Sequence, residues 1–246
     1  MTDATIRLDK FLSNAGLVSR RGVKKFLQEH IVTVNGKRLT ESGERIAQGQ
    51  AVLLDGQKVK KSEFVYFLLN KPIGIVSSTA DEFGRDTVTS LIDTTERIYP
   101  VGRLDKDSHG LVLLTNDGEL THKLIHPRYH VPKVYRIIVT GHPRNEQLEQ
   151  MRMGVILSDG ITLPAGVTVV EKTQDKTILE ITLHEGRNRQ IRRMCEELGI
   201  NLLDLQRTAF GPLQLGNLKR GEYRVLKGRE IEDLRRAVQQ TTKPKN

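Results

Sequence analysis

A single cysteine, Cys195, occurs in the 246 residues. That excludes an internal disulfide framework and leaves no cysteine spacing for a metal. No apolar run is long enough to cross a bilayer. The longest strongly apolar stretch, Phe64 to Leu69, is only strand-sized. The opening residues Met1-Thr2-Asp3-Ala4-Thr5 lack the basic-then-apolar order of a signal peptide, so a reducing cytosol is the expected compartment and no membrane association is expected. Neither a Gly-x-Gly-x-x-Gly nor a phosphate-loop pattern occurs, and the seven histidines show no ligand spacing. His122, His126 and His130 fall four apart, but Pro127 breaks any helix that would align them. No cofactor and no metal are expected. Nothing signals oligomerisation, so a monomer is the expectation.

What is present is positive charge. The formal net charge is +9 and the hydrophobic fraction is 37%, enough for a genuine core. Residues 1 to 60 carry eleven Lys or Arg against six Asp or Glu, and residues 219 to 246 carry nine against four. The middle is near neutral, so the basic character sits at the two ends. Such a balance favours polyanion partners.

Leu8, Phe11, Leu12 and Ala15 have helical spacing, and Gly16 is placed to end that helix. Ser19 is a candidate N-cap for a second helix burying Val23, Phe26 and Leu27. Its other face would hold Arg20, Arg21, Lys24 and Lys25. Asn35-Gly36, between Ile31 to Val34 and Lys37 to Leu39, is a hairpin signal, and Asp55-Gly56 repeats it between Ala51 to Leu54 and Gln57 to Val59. Residues 1 to 60 therefore read as a small module of helices and short strands. The polar residues 61 to 63 read as a linker.

From residue 64 the texture changes, and residues 64 to 240 read as one domain. Strands are expected at 64–69, 111–114, 134–139, 167–170 and 178–183, and helices at about 118–126, 143–153 and 188–198. Without regular βαβ alternation, the pattern predicts a mixed, largely antiparallel α+β domain. Residues 241 to 246 read as a frayed tail.

A basic helix face is by itself an ordinary solvated surface. Here Arg7 and Lys10 on the preceding helix and Lys37 and Arg38 on the hairpin extend it toward a continuous cationic surface for phosphates. Arg7-Leu8-Asp9-Lys10-Phe11-Leu12, Gly16, Ser19-Arg20-Arg21 and Val32-Thr33-Val34-Asn35-Gly36-Lys37 resemble the small RNA-binding domain of ribosomal small-subunit protein four. The resemblance implies binding of structured RNA, and no chemistry.

The second domain contains Val101-Gly102-Arg103-Leu104-Asp105-Lys106-Asp107-Ser108-His109-Gly110. On an extended backbone Arg103 and Asp105 share one face while Leu104 points to the core. Taken alone, Arg-x-Asp reads as a plain structural ion pair. Lys71-Pro72-Ile73-Gly74, Gly102-Arg103-Leu104-Asp105, Lys133-Val134-Tyr135 and Glu185 to Met194 occur in that order. The set resembles the ribosomal RNA pseudouridine synthases of the RsuA, RluB and RluF group. The resemblance implies isomerisation of uridine to pseudouridine in ribosomal RNA, without a cofactor. It implies Asp105 as the catalytic aspartate, and Arg103 as the arginine that fills the place of the extruded base. Tyr135 would pack on the uracil and help remove its proton, Arg192 would pair with the aspartate, and Lys71 and Pro72 would shape the floor of the site. Ser108 stands where a threonine is frequent, and His109 receives no role. Lys106-Asp107-Ser108 and Gln190 to Cys195 resemble the large-subunit enzymes of the group, with small-subunit and transfer RNA left open.

The chemistry suits these groups. A glycosidic bond must break, the uracil must turn, and a carbon–carbon bond must form with loss of one proton. An ionised carboxylate serves as a trap for the electron-poor sugar carbon or as a base, and the residues leave both roles open. The guanidinium of Arg192 favours the ionised form. Arg187, Arg189, Arg192 and Arg193 cluster near a helix expected to start at Asn188, whose amino end would add favourable partial charge toward an anion. Cys195 falls on the buried face of that helix. The alternative reading is a non-catalytic RNA-binding ribosome-assembly factor, for which retention of Arg103, Asp105, Tyr135 and Arg192 has no reason.

Overall fold

The computed structural model describes residues 5–47, 49–60, 62–81 and 83–239. The expected tail at 241–246 and part of the expected linker lie outside the described residues. The chain divides into two compact units. The first is Met1–Val65 with Thr94–Arg97 and Asn116–Gly118, and the remainder forms the second.

The small unit contains β1 (Thr5–Arg7), α1 (Leu8–Asn14), α2 (Val23–Glu29), β2 (Val32–Val34), β3 (Lys37–Leu39), β4 (Arg45–Ala47), β5 (Val52–Leu54) and β6 (Gln57–Lys58). Strands β3, β2, β5 and β6 form an antiparallel sheet in that order, and β1 pairs with β4. Leu8, Leu12, Val23, Leu27, Val32, Val34 and Val52 are buried together, which is the reason for the apolar spacing of the two helices. Asn35 and Gly36 both take positive φ, 51° and 76°, and turn β2 back into β3 at the expected Asn-Gly. Asp55 and Gly56 do the same between β5 and β6.

The second helix starts later than Ser19 suggested. The hydroxyl of Ser19 accepts the Gly22 N–H at 3.0 Å, closing a turn, and the helix begins at Val23. Arg20 and Arg21 therefore sit on this turn ahead of the helix, with only Lys24 and Lys25 on the helix itself. Arg7 ends β1 and precedes the first helical residue.

The larger unit begins with β7 (Tyr66–Lys71), β8 (Tyr99–Pro100), β9 (His109–Thr115), α3 (Gly118–Ile125) and β10 (Lys133–Thr140). It continues with α4 (Asn145–Met153), β11 (Ile156–Leu157), β12 (Gly160–Ile161), β13 (Gly166–Lys172), β14 (Lys176–Leu183) and α5 (Gln190–Glu197). It ends with β15 (Leu202–Phe210), β16 (Leu213–Gln214), β17 (Tyr223–Val225) and α6 (Gly228–Ala237). The main sheet runs β13-β14-β10-β15-β9-β7-β17. Its pairings are antiparallel except that of β15 with β9. The fold is thus the mixed, mostly antiparallel α+β architecture expected.

Strand β9 is buried at every residue, as a central strand must be. Strand β14 alternates strictly between inward Thr177, Leu179, Ile181 and Leu183 and the more exposed Lys176, Ile178, Glu180 and Thr182. One core lies over the β10, β13–β15 half of the sheet, beneath α4 and α5; a second lies over the β7 and β9 half, beneath α3 and α6. Sequence reading missed β15 and α6, which close these two cores. No helix among the described residues is long and apolar enough to cross a membrane.

The parallel pairing of β9 with β15 needs Gly110. A Cβ there would lie 2.3 Å from the Arg207 carbonyl oxygen and 2.7 Å from its nitrogen, and φ is +108°. No other residue satisfies both demands.

Cys195 lies on the inner face of α5, and burial pushes its thiol up to about 12. It should resist a soluble disulfide reagent at neutral pH in the native protein and react at once in denaturant. Rapid reaction of the native protein would contradict the packing of α5.

Candidate active site

The loop between β8 and β9 carries Arg103 and Asp105, and its shape is fixed from below. Lys71, at the end of β7, is fully buried, and its Nζ donates to the carbonyls of Pro72 (3.1 Å), Asp105 (3.0 Å) and Ser108 (2.7 Å). The Ser108 N–H closes a turn onto the same Asp105 carbonyl at 3.1 Å. Ser77 clamps the preceding residue from both sides. Its Oγ accepts the Leu104 N–H at 3.1 Å and donates to the Leu104 carbonyl at 2.8 Å. Leu104 is buried while Arg103 is exposed and Asp105 half-buried. The expected alternation therefore holds, although this segment is a clamped loop and no strand ladder forms.

Burial lowers the Lys71 ammonium to about 8, against the opposing charges of Asp107 and Asp105, with Arg207 adding to the fall. Lys133, whose Nζ donates to the Val131 carbonyl at 2.9 Å, is lowered to about 8 by the same cause.

The second wall is the segment from Leu183 through Ile191. Arg189 takes a left-handed conformation, φ 48°, and α5 starts at Gln190, later than Asn188 predicted. The turn brings the Arg189 Nη1 to 3.5 Å from Asp107 Oδ1 and 3.8 Å from Asp105 Oδ2. Arg192 reaches across from α5. Its Nη2 donates to the Asp107 carbonyl and to Ser108 Oγ, both at 3.0 Å, and lies 3.3 Å from Asp107 Oδ2. Its Nε stands 3.9 Å from Asp105 Oδ2, is buried and makes no hydrogen bond. The carboxylate of residue 105 thus faces two guanidinium groups at ion-pair distance with no direct hydrogen bond from either.

Two clefts meet at this carboxylate. One, of about 380 Å³, is lined by Arg103, Asp105, Ser108, Tyr135, Arg189 and Gln190, among others. The other, of about 510 Å³, includes Ile73, Ser77, Arg85, Arg103, Asp105 and Arg189. Tyr135, on β10, therefore shares a cleft with Asp105. Arg103 borders both clefts and makes no hydrogen bond or ion pair among the described residues.

Arg187 is employed differently from its expected place in RNA binding. It pairs with Glu185 and donates to the carbonyls of Asp159, Gly160 and Ile161. Arg193 pairs with the Asp159 carboxylate at 3.0 Å. Both arginines anchor the β11–β12 turn to the site wall. Sequence reading missed Asp107, Asp159 and Ser77. The Asp159-Gly160 pair was a hairpin signal that would have located the second.

In the small unit Arg7 and Arg20 converge on Asp9, at 3.2 Å and 3.0 Å. Burial acts to raise the Asp9 carboxyl, but hydrogen bonds from both arginines and the charge of Arg20 outweigh it and hold the group below its ordinary value. Lys25 lies 3.7 Å from Glu29, and Lys37 lies 3.7 Å from Glu44. Arg21 and Lys24 are exposed and make no hydrogen bond or ion pair among the described residues. Lys10, on α1, is half-buried.

With that geometry in hand, comparison with known proteins gives consistent matches. Residues 65–197 match the RNA pseudouridylate synthase family model, and residues 6–50 match the S4 domain. The chain is 42% identical over 232 residues to ribosomal large subunit pseudouridine synthase B of Bacillus subtilis, covering 93% of this chain and 95% of that one. It is 36% identical to the dual-specificity RNA pseudouridine synthase RluF of Escherichia coli, over 100% of this chain and 84% of that one. A solved pseudouridylate synthase superposes with a TM-score of 0.68 at 30% identity, over 93% of this chain and 99% of that one.

Lys71→Met should destabilise the fold by about 2 kcal/mol, because three buried carbonyls lose their donor. The deficit should also depend on pH. The folded value of about 8 lies below the unfolded value of about 10.4. The unfolded chain then holds the proton more tightly between the two, and this lysine's contribution rises with pH across that window. Urea unfolding of wild type and variant should show a deficit larger at pH 9.5 than at pH 7.5. A deficit that is flat or shrinks would contradict the lowering of this buried ammonium.

Proposed function

Since the chain belongs to the RNA pseudouridylate synthase family, we propose that it converts a uridine of large-subunit ribosomal RNA to pseudouridine on the carboxylate of Asp105. The observation carrying this reading is the placement of Asp105, which faces Arg189 and Arg192 in a cleft shared with Tyr135 and bordered by the free Arg103. The names of the relatives from Bacillus subtilis and Escherichia coli support RNA as substrate, and the first supports the large subunit.

In this mechanism the target nucleotide leaves its stack, at a cost of a few kcal/mol. The unengaged Arg103 enters the vacated space and meets phosphate. Tyr135 lies against the uracil. Asp105 acts on the sugar carbon as the glycosidic bond breaks, or takes the C5 proton after the base has turned and rebonded. The two guanidinium groups, poised at 3.8 Å and 3.9 Å, tighten on the carboxylate when substrate excludes water. Arg192 works both on the carboxylate and on the loop, through Asp107 and Ser108.

Residues 1–60 dock a structured stem-loop through its phosphates, 61–63 form the link, and 64–240 perform the isomerisation. Arg21, Lys24 and Arg38, whose side chains are unpaired among the described residues, serve that docking together with Lys10, Lys25 and Lys37, while Arg7 and Arg20 order the surface around Asp9. The protein acts as a cytoplasmic monomer.

Purified wild type should form pseudouridine at one position of an unmodified large-subunit rRNA transcript. Asp105→Asn should form none while keeping RNA affinity within about threefold, since one charge is neutralised away from the phosphates. Turnover by Asp105→Asn would overturn the assignment, and a wild type that binds but never modifies would favour an assembly factor. The double substitution Arg21→Gln with Lys24→Gln should flatten the slope of log affinity against log salt by about two. An unchanged slope would remove these residues from the RNA surface.

A further inference from the structure

We propose that Phe83 and Arg85 form a stacking platform for an unpaired nucleotide neighbouring the target uridine. The proposal rests on the reading of this chain as a ribosomal RNA pseudouridine synthase. Phe83 is 81% exposed, more than any other large apolar side chain among the described residues. A single exposed apolar residue is ordinary on a protein surface. This ring is distinguished by what holds it and by where it stands.

The Asp81 carboxylate accepts the backbone N–H groups of Phe83 and Arg85, both at 3.0 Å, and grips the Arg85 guanidinium through Nε and Nη2 at 3.0 Å and 2.6 Å. The Arg85 hydrogen bonds hold the Asp81 carboxyl at about 2, so the grip persists at any pH where RNA is handled. The pinned guanidinium lies 5.0 Å over the Phe83 ring, leaving most of the aromatic surface to solvent. A ring held in this way loses little conformational freedom when a base stacks on it.

The loop is also tied to the reaction centre. Val76 accepts the Val88 N–H at 2.9 Å and donates to the Asp86 carbonyl at 3.0 Å. The next residue, Ser77, clamps Leu104 beside Asp105. Arg85 lines the cleft of about 510 Å³ together with Arg103, Asp105, Lys106 and Arg189. The Arg103 and Lys106 side chains, unpaired among the described residues, suit a phosphodiester backbone, and the ring beside Arg85 suits the π-face of any base. Everting one uridine leaves its neighbour without a stacking partner. A platform at the rim replaces that partner, and it commits to no base identity because every base has a flat face.

The test uses single-turnover pseudouridine formation on an unmodified large-subunit rRNA transcript with protein in excess, and filter binding of the same transcript in parallel. Phe83→Ala should raise the half-saturating protein concentration and the dissociation constant about tenfold, and Phe83→Trp should keep both within about twofold of wild type. Both variants should melt with the wild type, because the ring is exposed. An Ala variant within about twofold of wild type would overturn the platform and leave the enzymatic reading intact. It is also the outcome expected if Phe83 serves a protein partner. A Trp variant as impaired as Ala would overturn stacking. If wild type bound the transcript but made no pseudouridine, the enzymatic reading would fall, and the binding data would still decide the role of Phe83 by the same criteria.

Discussion

A buried ammonium group sets the geometry on which the rest depends. Lys71 ends a fully buried strand and spends its three N–H donors on the carbonyls of Pro72, Asp105 and Ser108. Burying an ammonium is costly unless its donors are used, and here all three are. The contact points lie on both sides of residues 106 and 107, so the turn bearing the carboxylate is fixed at its two ends. Ser77 fixes the preceding residue through its hydroxyl. Asp105 therefore enters the cleft from a preorganised loop, the arrangement electrostatic catalysis requires.

The arginines around this loop divide by what they already hold. Arg187 and Arg193 are spent on the β11–β12 turn. Arg189 and Arg192 reach across to the carboxylates at 105 and 107. Arg103 holds nothing among the described residues and borders both clefts. The arginine cluster at 187–193, uniform in sequence, thus separates into struts and carboxylate partners, and Arg103 adds a cation unpaired among the described residues. The same sorting operates in the small unit, where Asp9 engages Arg7 and Arg20 and leaves Arg21 and Lys24 available.

Most elements could be read from the chain because their signals are local. The alternation of β14, the Asn35-Gly36 turn and the helical spacing of α1 each depend on neighbours within a few residues. What was not legible depends on distant partners. Strand β15 carries Asp204 and Arg207 among its apolar residues. Arg207 is buried, its Nε donating to the Leu111 carbonyl at 2.7 Å and its guanidinium lying 5.4 Å over Phe210. His109, given no role in advance, is buried with its Nε2 3.0 Å from Asp204. The Lys71 clamp joins residues 34 and 37 positions apart, which no local pattern reveals. Helix starts slipped for a related reason. Ser19 and Asn188 are good caps by type, but the backbone turns at Gly22 and Arg189 decided where each helix began.

The most direct measurement of the central claim is a nucleotide-resolution pseudouridine map of ribosomal RNA from a strain lacking this gene. The account predicts that one uridine of the large-subunit RNA loses its modification and regains it when the wild-type gene is restored. A complete map in the absence of the gene would contradict it.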